Sequence, residues 1–105
     1  MKDGRFRTVL ATRGRVTGIV HKSELYAVMF DGDVYLTRHK PDSDWYKNCI
    51  ANGRVSITID KDIIFGMAEP VKDENIVRCI SELKYPNQVR ATEHRVAIRV
   101  RLDAQ

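Results

Sequence analysis

Apolar and polar residues alternate with a period of two over much of the chain. Arg54–Asp60 (Arg-Val-Ser-Ile-Thr-Ile-Asp) alternates cleanly, so Val55, Ile57 and Ile59 face one way and Ser56 and Thr58 the other. Val96, Ile98, Val100 and Leu102 alternate with Ala97, Arg99 and Arg101, which predicts a strand with one buried and one cationic face. Phe6–Ala11 is a shorter β-leaning run, closed by Thr12-Arg13-Gly14-Arg15. Leu25–Phe30 is apolar at every position and predicts a strand covered on both faces. Asp31-Gly32-Asp33 separates it from Val34–Thr37, and Asp-Gly between two β-rich runs is a strong hairpin signal. Lys61-Asp62 predicts a further tight turn, leading into Ile63–Ala68.

Two segments break this period. Over Asp42–Asn52, Trp45, Cys49 and Asn52 fall on one line and Tyr46 and Ile50 on its neighbour, which is helical spacing. Asp42 or Ser43 can cap its first turn, and Asn52-Gly53 predicts a left-handed stop. Over Asp73–Lys84, Ile76, Ile80 and Leu83 recur at i, i+4 and i+7 beside Val77, with Asp73 as the cap and Pro86 blocking continuation. The resulting order, β-β-β-α-β-β-α-β with short turns, predicts a mainly β protein. Its form is a small antiparallel split β-barrel with two helices at its openings or edges, the first helix crossing between parts of the sheet.

Composition narrows the picture without changing it. One hundred and five residues make a single domain, residues 1–105, and 43% hydrophobic with 30% charged residues excludes disorder and low complexity. No apolar run approaches the roughly 20 residues of a membrane helix, and the N-terminal stretch lacks a secretory core, so the cytoplasm is the expected location. Cys49 and Cys79 stand apart, with no CxxC and no histidine at ligand spacing. They read as core thiols, and no metal site is expected.

A net charge of +4 leaves three readings open: a nucleic-acid binder, a binder of a small phosphorylated ligand, or simply a basic surface. The cations gather in two places. Arg13-Gly14-Arg15-Val16-Thr17-Gly18, followed by His21 and Lys22, puts arginines and a hydroxyl on a glycine turn, a chemistry suited to phosphate oxygens but also to a plain loop. It is not a P-loop, because the GK[ST] ending is missing and a strand follows. Arg38-His39-Lys40 ends a strand just before the helix carrying Trp45, whose indole could cover a planar ring or plug the barrel end. No nucleophile–base pair stands out, so no catalytic side chain is assigned, and in an enzyme the reactive atoms would come from a bound cofactor.

These residues also carry a resemblance. Thr12-x-Gly14-Arg15-x-Thr17-Gly18-x-x-His21 followed by Leu25 resembles the "TTxGRxSGxxRxxxL" opening of the deazaflavin-dependent nitroreductase and quinone-reductase family. Asp31-Gly32-Asp33-Val34-Tyr35 and Trp45-Tyr46-x-Asn48-x-x-Ala51-Asn52-x-x-Val55 resemble its next two motifs. Glu69-x-Val71, Tyr85-Pro86 and Thr92-x-x-Arg95 keep its order. The resemblance implies a split barrel related to the FMN-binding pyridoxamine-phosphate oxidases, a deazaflavin coenzyme or FMN as cofactor, and hydride transfer to a small organic acceptor such as a quinone or nitro compound. It further implies that Arg15, Thr17, Gly18 and Lys22 cradle the cofactor's phosphate and acidic tail. His21 stands where the family carries arginine, Arg38, His39 and Lys40 lie along the tail, and Trp45 and Asn48 border the ring. A homodimer with the cofactor near its interface is expected, because two-sided apolar strands need covering. The rival expectation is a non-catalytic barrel that binds a cofactor, or one that binds nucleic acid through Arg95, Arg99 and Arg101 with Tyr26 and Tyr35 as stacking rings.

Overall fold

A computed structural model describes residues 4–14, 16–38, 44–86 and 96–103. Its elements follow the expected order: β1 (Gly4–Arg13), β2 (Val20–Phe30), β3 (Asp33–Arg38), α1 (Asp44–Ala51), β4 (Arg54–Ile59), β5 (Asp62–Val71), α2 (Glu74–Lys84) and β6 (Val96–Leu102). The strands close into one antiparallel barrel in the order β1-β2-β3-β6-β5-β4. The fold is therefore mainly β, a six-stranded antiparallel barrel with two helices.

Local chemistry explains most boundaries. Asp31 (φ 51°) and Gly32 (φ 83°) both sit left-handed between the paired residues Phe30 and Asp33, the two-residue turn whose twist matches that of its strands. The second tight turn falls one residue earlier than the sequence suggests. Ile59 pairs with Asp62, and Asp60 takes the positive φ of 56°. Asp73 caps α2, its carboxylate accepting from the Asn75 and Ile76 amides. The expected left-handed stop after α1 is absent, because neither Asn52 nor Gly53 has positive φ. Instead the Asn52 side chain accepts from the Arg54 amide at 3.1 Å, and the Gly53 carbonyl accepts from Ala68 N–H at 2.7 Å. The proposed caps of α1, Asp42 and Ser43, lie outside the described residues.

The core fills the barrel with alternate residues, as the period of two requires: Leu10, Ala27, Met29, Val34, Leu36, Val55, Ile57, Ile98 and Val100. A second cluster, Val28, Tyr35 and Ile80, lies outside the wall, where α2 packs on β2 and β3 with Phe30, Ile76 and Leu83 against it. This corrects the expectation for Leu25–Phe30. Only its C-terminal half is covered on both faces, and the outer cover is α2 rather than another layer of sheet. Tyr26 remains 45% exposed, with the Arg5 guanidinium 4.8 Å above its ring.

Closure is incomplete at two seams. β1 pairs with β4 only at Leu10–Ile57 and Ala11–Ser56, and β2 pairs with β3 only from Val28 onward. The Thr8 hydroxyl extends the β1–β4 seam: its Oγ1 donates to the Thr58 carbonyl at 2.6 Å and accepts from the Thr58 amide at 3.1 Å. Thr8→Val keeps the shape and strips both partners. It should cost about 1–3 kcal/mol, read as a lower urea midpoint at unchanged slope. An unmoved midpoint would show that the hydroxyl does not hold the seam.

Candidate functional site

The incomplete seams leave the β1–β2 ribbon projecting past the barrel, paired as far as Arg13–Val20. Its inward-facing residues continue the core alternation, so Thr12, His21 and Ser23 point into the same end of the barrel from which α1 rises opposite. Between ribbon and helix lies an open cleft of about 410 Å³. Thr12, Gly14, Thr17, His21, Lys22 and Ser23 line it from the ribbon, and Asp44, Trp45 and Asn48 from α1. Five expected site residues thus come together: Thr17, His21, Lys22, Trp45 and Asn48. Gly18 lies in the same loop but is not part of the lining, and Arg38, exposed at the end of β3, is not either. Arg15, His39 and Lys40 lie outside the described residues.

The loop that joins the ribbon is braced from within. The Gly14 amide donates to Ile19 O at 2.7 Å, the Gly18 amide to Gly14 O at 2.9 Å, and Arg13 Nη1 to Gly18 O at 3.0 Å. The Gly18 amide is therefore already engaged, and this residue serves the loop through its φ of 74° rather than as a donor. Thr17 Oγ1 accepts from the Ile19 amide at 3.2 Å, which leaves its O–H able to donate outward. Gly14 is fixed by close approach: a Cβ there would sit 2.8 Å from His21 Nε2 and 3.1 Å from Ile19 O. The imidazole occupies the space that a side chain at 14 would need.

The opposite wall combines an indole with a carboxylate and an amide: Trp45, Asp44 and Asn48 of α1. Trp45 is half-buried, packs on the barrel core and meets Tyr46 edge-on at 6.2 Å. It thus plugs the barrel end and borders the cleft at once. Asn48 is buried, and its Nδ2 donates to Thr12 Oγ1 at 3.3 Å, tying α1 to β1 behind the cleft. Neighbouring Cys49 is a core thiol, pushed up to about 12 by burial, and so stays neutral. Cys79 is only half-buried, unlike the core thiol expected, and both cysteines are free. Among the described residues no cluster of histidine, cysteine, aspartate or glutamate could hold a metal.

Two features escaped the sequence reading. Thr12 and Ser23 follow from strand parity once the ribbon is known to run past Ala11. Lys84 is buried at 6% exposure, four residues after Ile80 on the packed face of α2, where helical spacing could have flagged it. Its Nζ donates to Thr37 O at 3.3 Å and Thr37 Oγ1 at 3.1 Å, immediately before Arg38. The expected nucleic-acid face looks different in the round. Arg99 and Arg101 flank one carboxylate, Glu69, at 3.6 and 2.9 Å, Tyr35 is buried, and Arg5 lies over Tyr26. Arg95 lies outside the described residues.

Comparison with known proteins identifies the family. The family described as F420H(2)-dependent quinone reductase matches residues 2–104, and the chain belongs to it. It is accordingly a deazaflavin-dependent oxidoreductase whose coenzyme is F420. Among solved structures, the conserved hypothetical protein Rv2991 from Mycobacterium tuberculosis superposes with a TM-score of 0.77 at 19% identity, over 93% of this chain and 73% of that one. An F420-H2 dependent reductase superposes at 0.71 and 19% identity, over 90% and 92% of the two chains. A putative pyridoxamine 5'-phosphate oxidase from Listeria innocua does so at 0.71 and 18%, over 93% and 84%. At these identities the likeness is one of fold. No curated protein matches the chain.

Proposed function

We propose that the cleft between the β1–β2 ribbon and α1 holds the deazaflavin, ring against Trp45 and phosphorylated tail toward the Gly14–Lys22 loop, and that the acceptor is a quinone. The observation that carries this reading is the make-up of the cleft: hydroxyl, imidazole and ammonium groups beside Val16 and Ile19 on the ribbon, and the Trp45 indole beside Asp44 and the buried Asn48 amide on the helix. Its volume is in the range of small-molecule sites. The residues present fit such a group. A planar ring needs the apolar wall that Trp45 offers, and a phosphate needs the Thr17 hydroxyl and the Lys22 ammonium. Arg15, Arg38, His39 and Lys40 are assigned to the acidic tail, with His21 in the place of a fixed charge.

When bound, the reduced deazaflavin supplies the hydride. The chain binds and orients: Asn48, steadied by Thr12, presents polar atoms beside the ring, and Trp45 with Tyr46 excludes water from one side. We further assign the protein as a homodimer. One superposing structure, at a TM-score of 0.71 and 19% identity, is a domain-swapped dimer. No helix among the described residues is long and apolar enough to cross a membrane.

Titration with deazaflavin and with FMN, followed by absorbance, tests the reading. Arg15→Ala and Lys22→Ala should each weaken binding by roughly 10- to 100-fold, the loss of one charge-assisted contact of about 1.5–3 kcal/mol. Undiminished affinity in both variants would overturn the tail placement, and failure of the wild type to bind either cofactor would overturn the site.

A further inference from the structure

The outer face of β5 carries a stripe that the site does not use. Ile63, Phe65 and Met67 alternate along the strand, point away from the barrel, and are 65%, 53% and 50% exposed. Their neighbours on β4, Thr58, Ser56 and Arg54 in register, add no apolar cover. Arg54 reaches over the Phe65 ring at 5.6 Å. In the barrel order β5 stands across from β2, and none of these side chains lines the cleft. Three large apolar side chains side by side on a sheet face mark an interaction surface more than a scatter of surface residues would.

The charges at its two ends say what covers it. The Met67 end holds three arginines, Arg54, Arg99 and Arg101, against the Glu69 carboxylate. Asp103 lies beside Phe65, its amide donating to the Phe65 carbonyl and its carboxylate paired with Arg54. The Ile63 end is the turn Asp60-Lys61-Asp62, with two aspartates against one lysine. The stripe therefore runs from a net positive to a net negative end over about 13 Å, four residues of strand. A two-fold axis through Phe65 turns such a stripe onto itself with opposite charges facing. A stable pair needs about 800 Å² from each partner, roughly one eighth of the chain's 6727 Å² of accessible surface.

We propose that the β5 face is the homodimer interface: Phe65 meets its copy at the axis, Ile63 meets the partner stripe's opposite end, and the Asp62 turn faces the partner's Arg101 region. This rests on the homodimer assignment above but not on the cofactor. It also moves the dimer contact away from the cofactor, contrary to the expectation drawn from Leu25–Phe30, whose outer face α2 already covers.

Molar mass from light scattering at 50–100 μM protein tests it, with cofactor titration alongside. Wild type should read twice the monomer's 12.1 kDa, and Phe65→Asp, an exposed site, should read as monomer with its circular dichroism and cofactor affinity kept. Asp62→Arg and Arg101→Asp should each weaken the dimer by tenfold or more alone, yet an equimolar mixture should form a heterodimer, because both cross-axis pairs become Arg–Asp again. A monomeric wild type would overturn both the homodimer assignment and this face. A Phe65→Asp variant that stays dimeric, or a mixture that associates no better than its components, would overturn the face alone, and none of these outcomes touches the cofactor reading.

Discussion

Gly66→Ala should lower the stability of this protein by about 3 kcal/mol, a drop in melting temperature of roughly 12–20 °C for a domain of this size. Two effects compete there. Gly66 has no left-handed φ, and at such positions alanine ordinarily stabilises by about 0.4–1 kcal/mol because it reduces the freedom of the unfolded chain. Against that, an added Cβ would lie 2.6 Å from the Arg101 carbonyl oxygen and 2.9 Å from Val100 Cγ1. The nearest atom is backbone of the paired strand β6, held by the ladder Gly66–Leu102 and Met67–Arg101. It cannot swing aside as a side-chain end would, so the strands must part, and the clash outweighs the entropy. Thermal melting decides the sign: a raised melting temperature would mean that the β5–β6 spacing gives way cheaply. The same spacing sets where Phe65 and Met67 present themselves, so the variant should also weaken the dimer proposed on the β5 face.

Much of this architecture was legible in the alternation of residues. Val55, Ile57 and Ile59 face the core as their spacing dictates, and Asp31-Gly32 makes the hairpin that its left-handed tolerance favours. What escaped was set by contacts distant in sequence. Nothing between Leu25 and Phe30 says that α2, some fifty residues later, covers Val28 while leaving Tyr26 under Arg5. Nothing near Asn52 says that the chain leaves α1 by a hydrogen bond to Ala68 rather than by a left-handed turn. Lys84 read as the last polar residue of a helix, and only the fold puts its ammonium against Thr37. The candidate site rested on a different signal. Glycine, hydroxyl and cation on one turn, and an indole one helix later, are chemical types visible in sequence alone, and Thr17, His21, Lys22, Trp45 and Asn48 do meet at one cleft. Strand parity, applied beyond Ala11, would have added Thr12 and Ser23.

Asn48→Ala should have the largest effect on the cleft. The side chain is buried between α1 and β1, and its amide bonded to Thr12 Oγ1 is one of the polar links joining the two walls. Removing it costs the hydrogen bond and leaves the Thr12 hydroxyl buried with less to bond to, about 1–3 kcal/mol of stability. The walls then lose their fixed separation, and deazaflavin affinity should fall tenfold or more, because a ring held between ribbon and helix needs that separation set before it arrives. Thr12→Val alone should cost a similar amount. If the two residues act through each other, adding Thr12→Val to Asn48→Ala should change little further, a coupling of about 0.5–2 kcal/mol in a double-mutant cycle. The cycle is read twice, once in denaturant and once as cofactor affinity. Coupling in both ties the cleft to this bond. Coupling in stability with additive losses in affinity would instead place Asn48 in direct contact with the ring, binding it by its own polar atoms rather than through the wall it steadies.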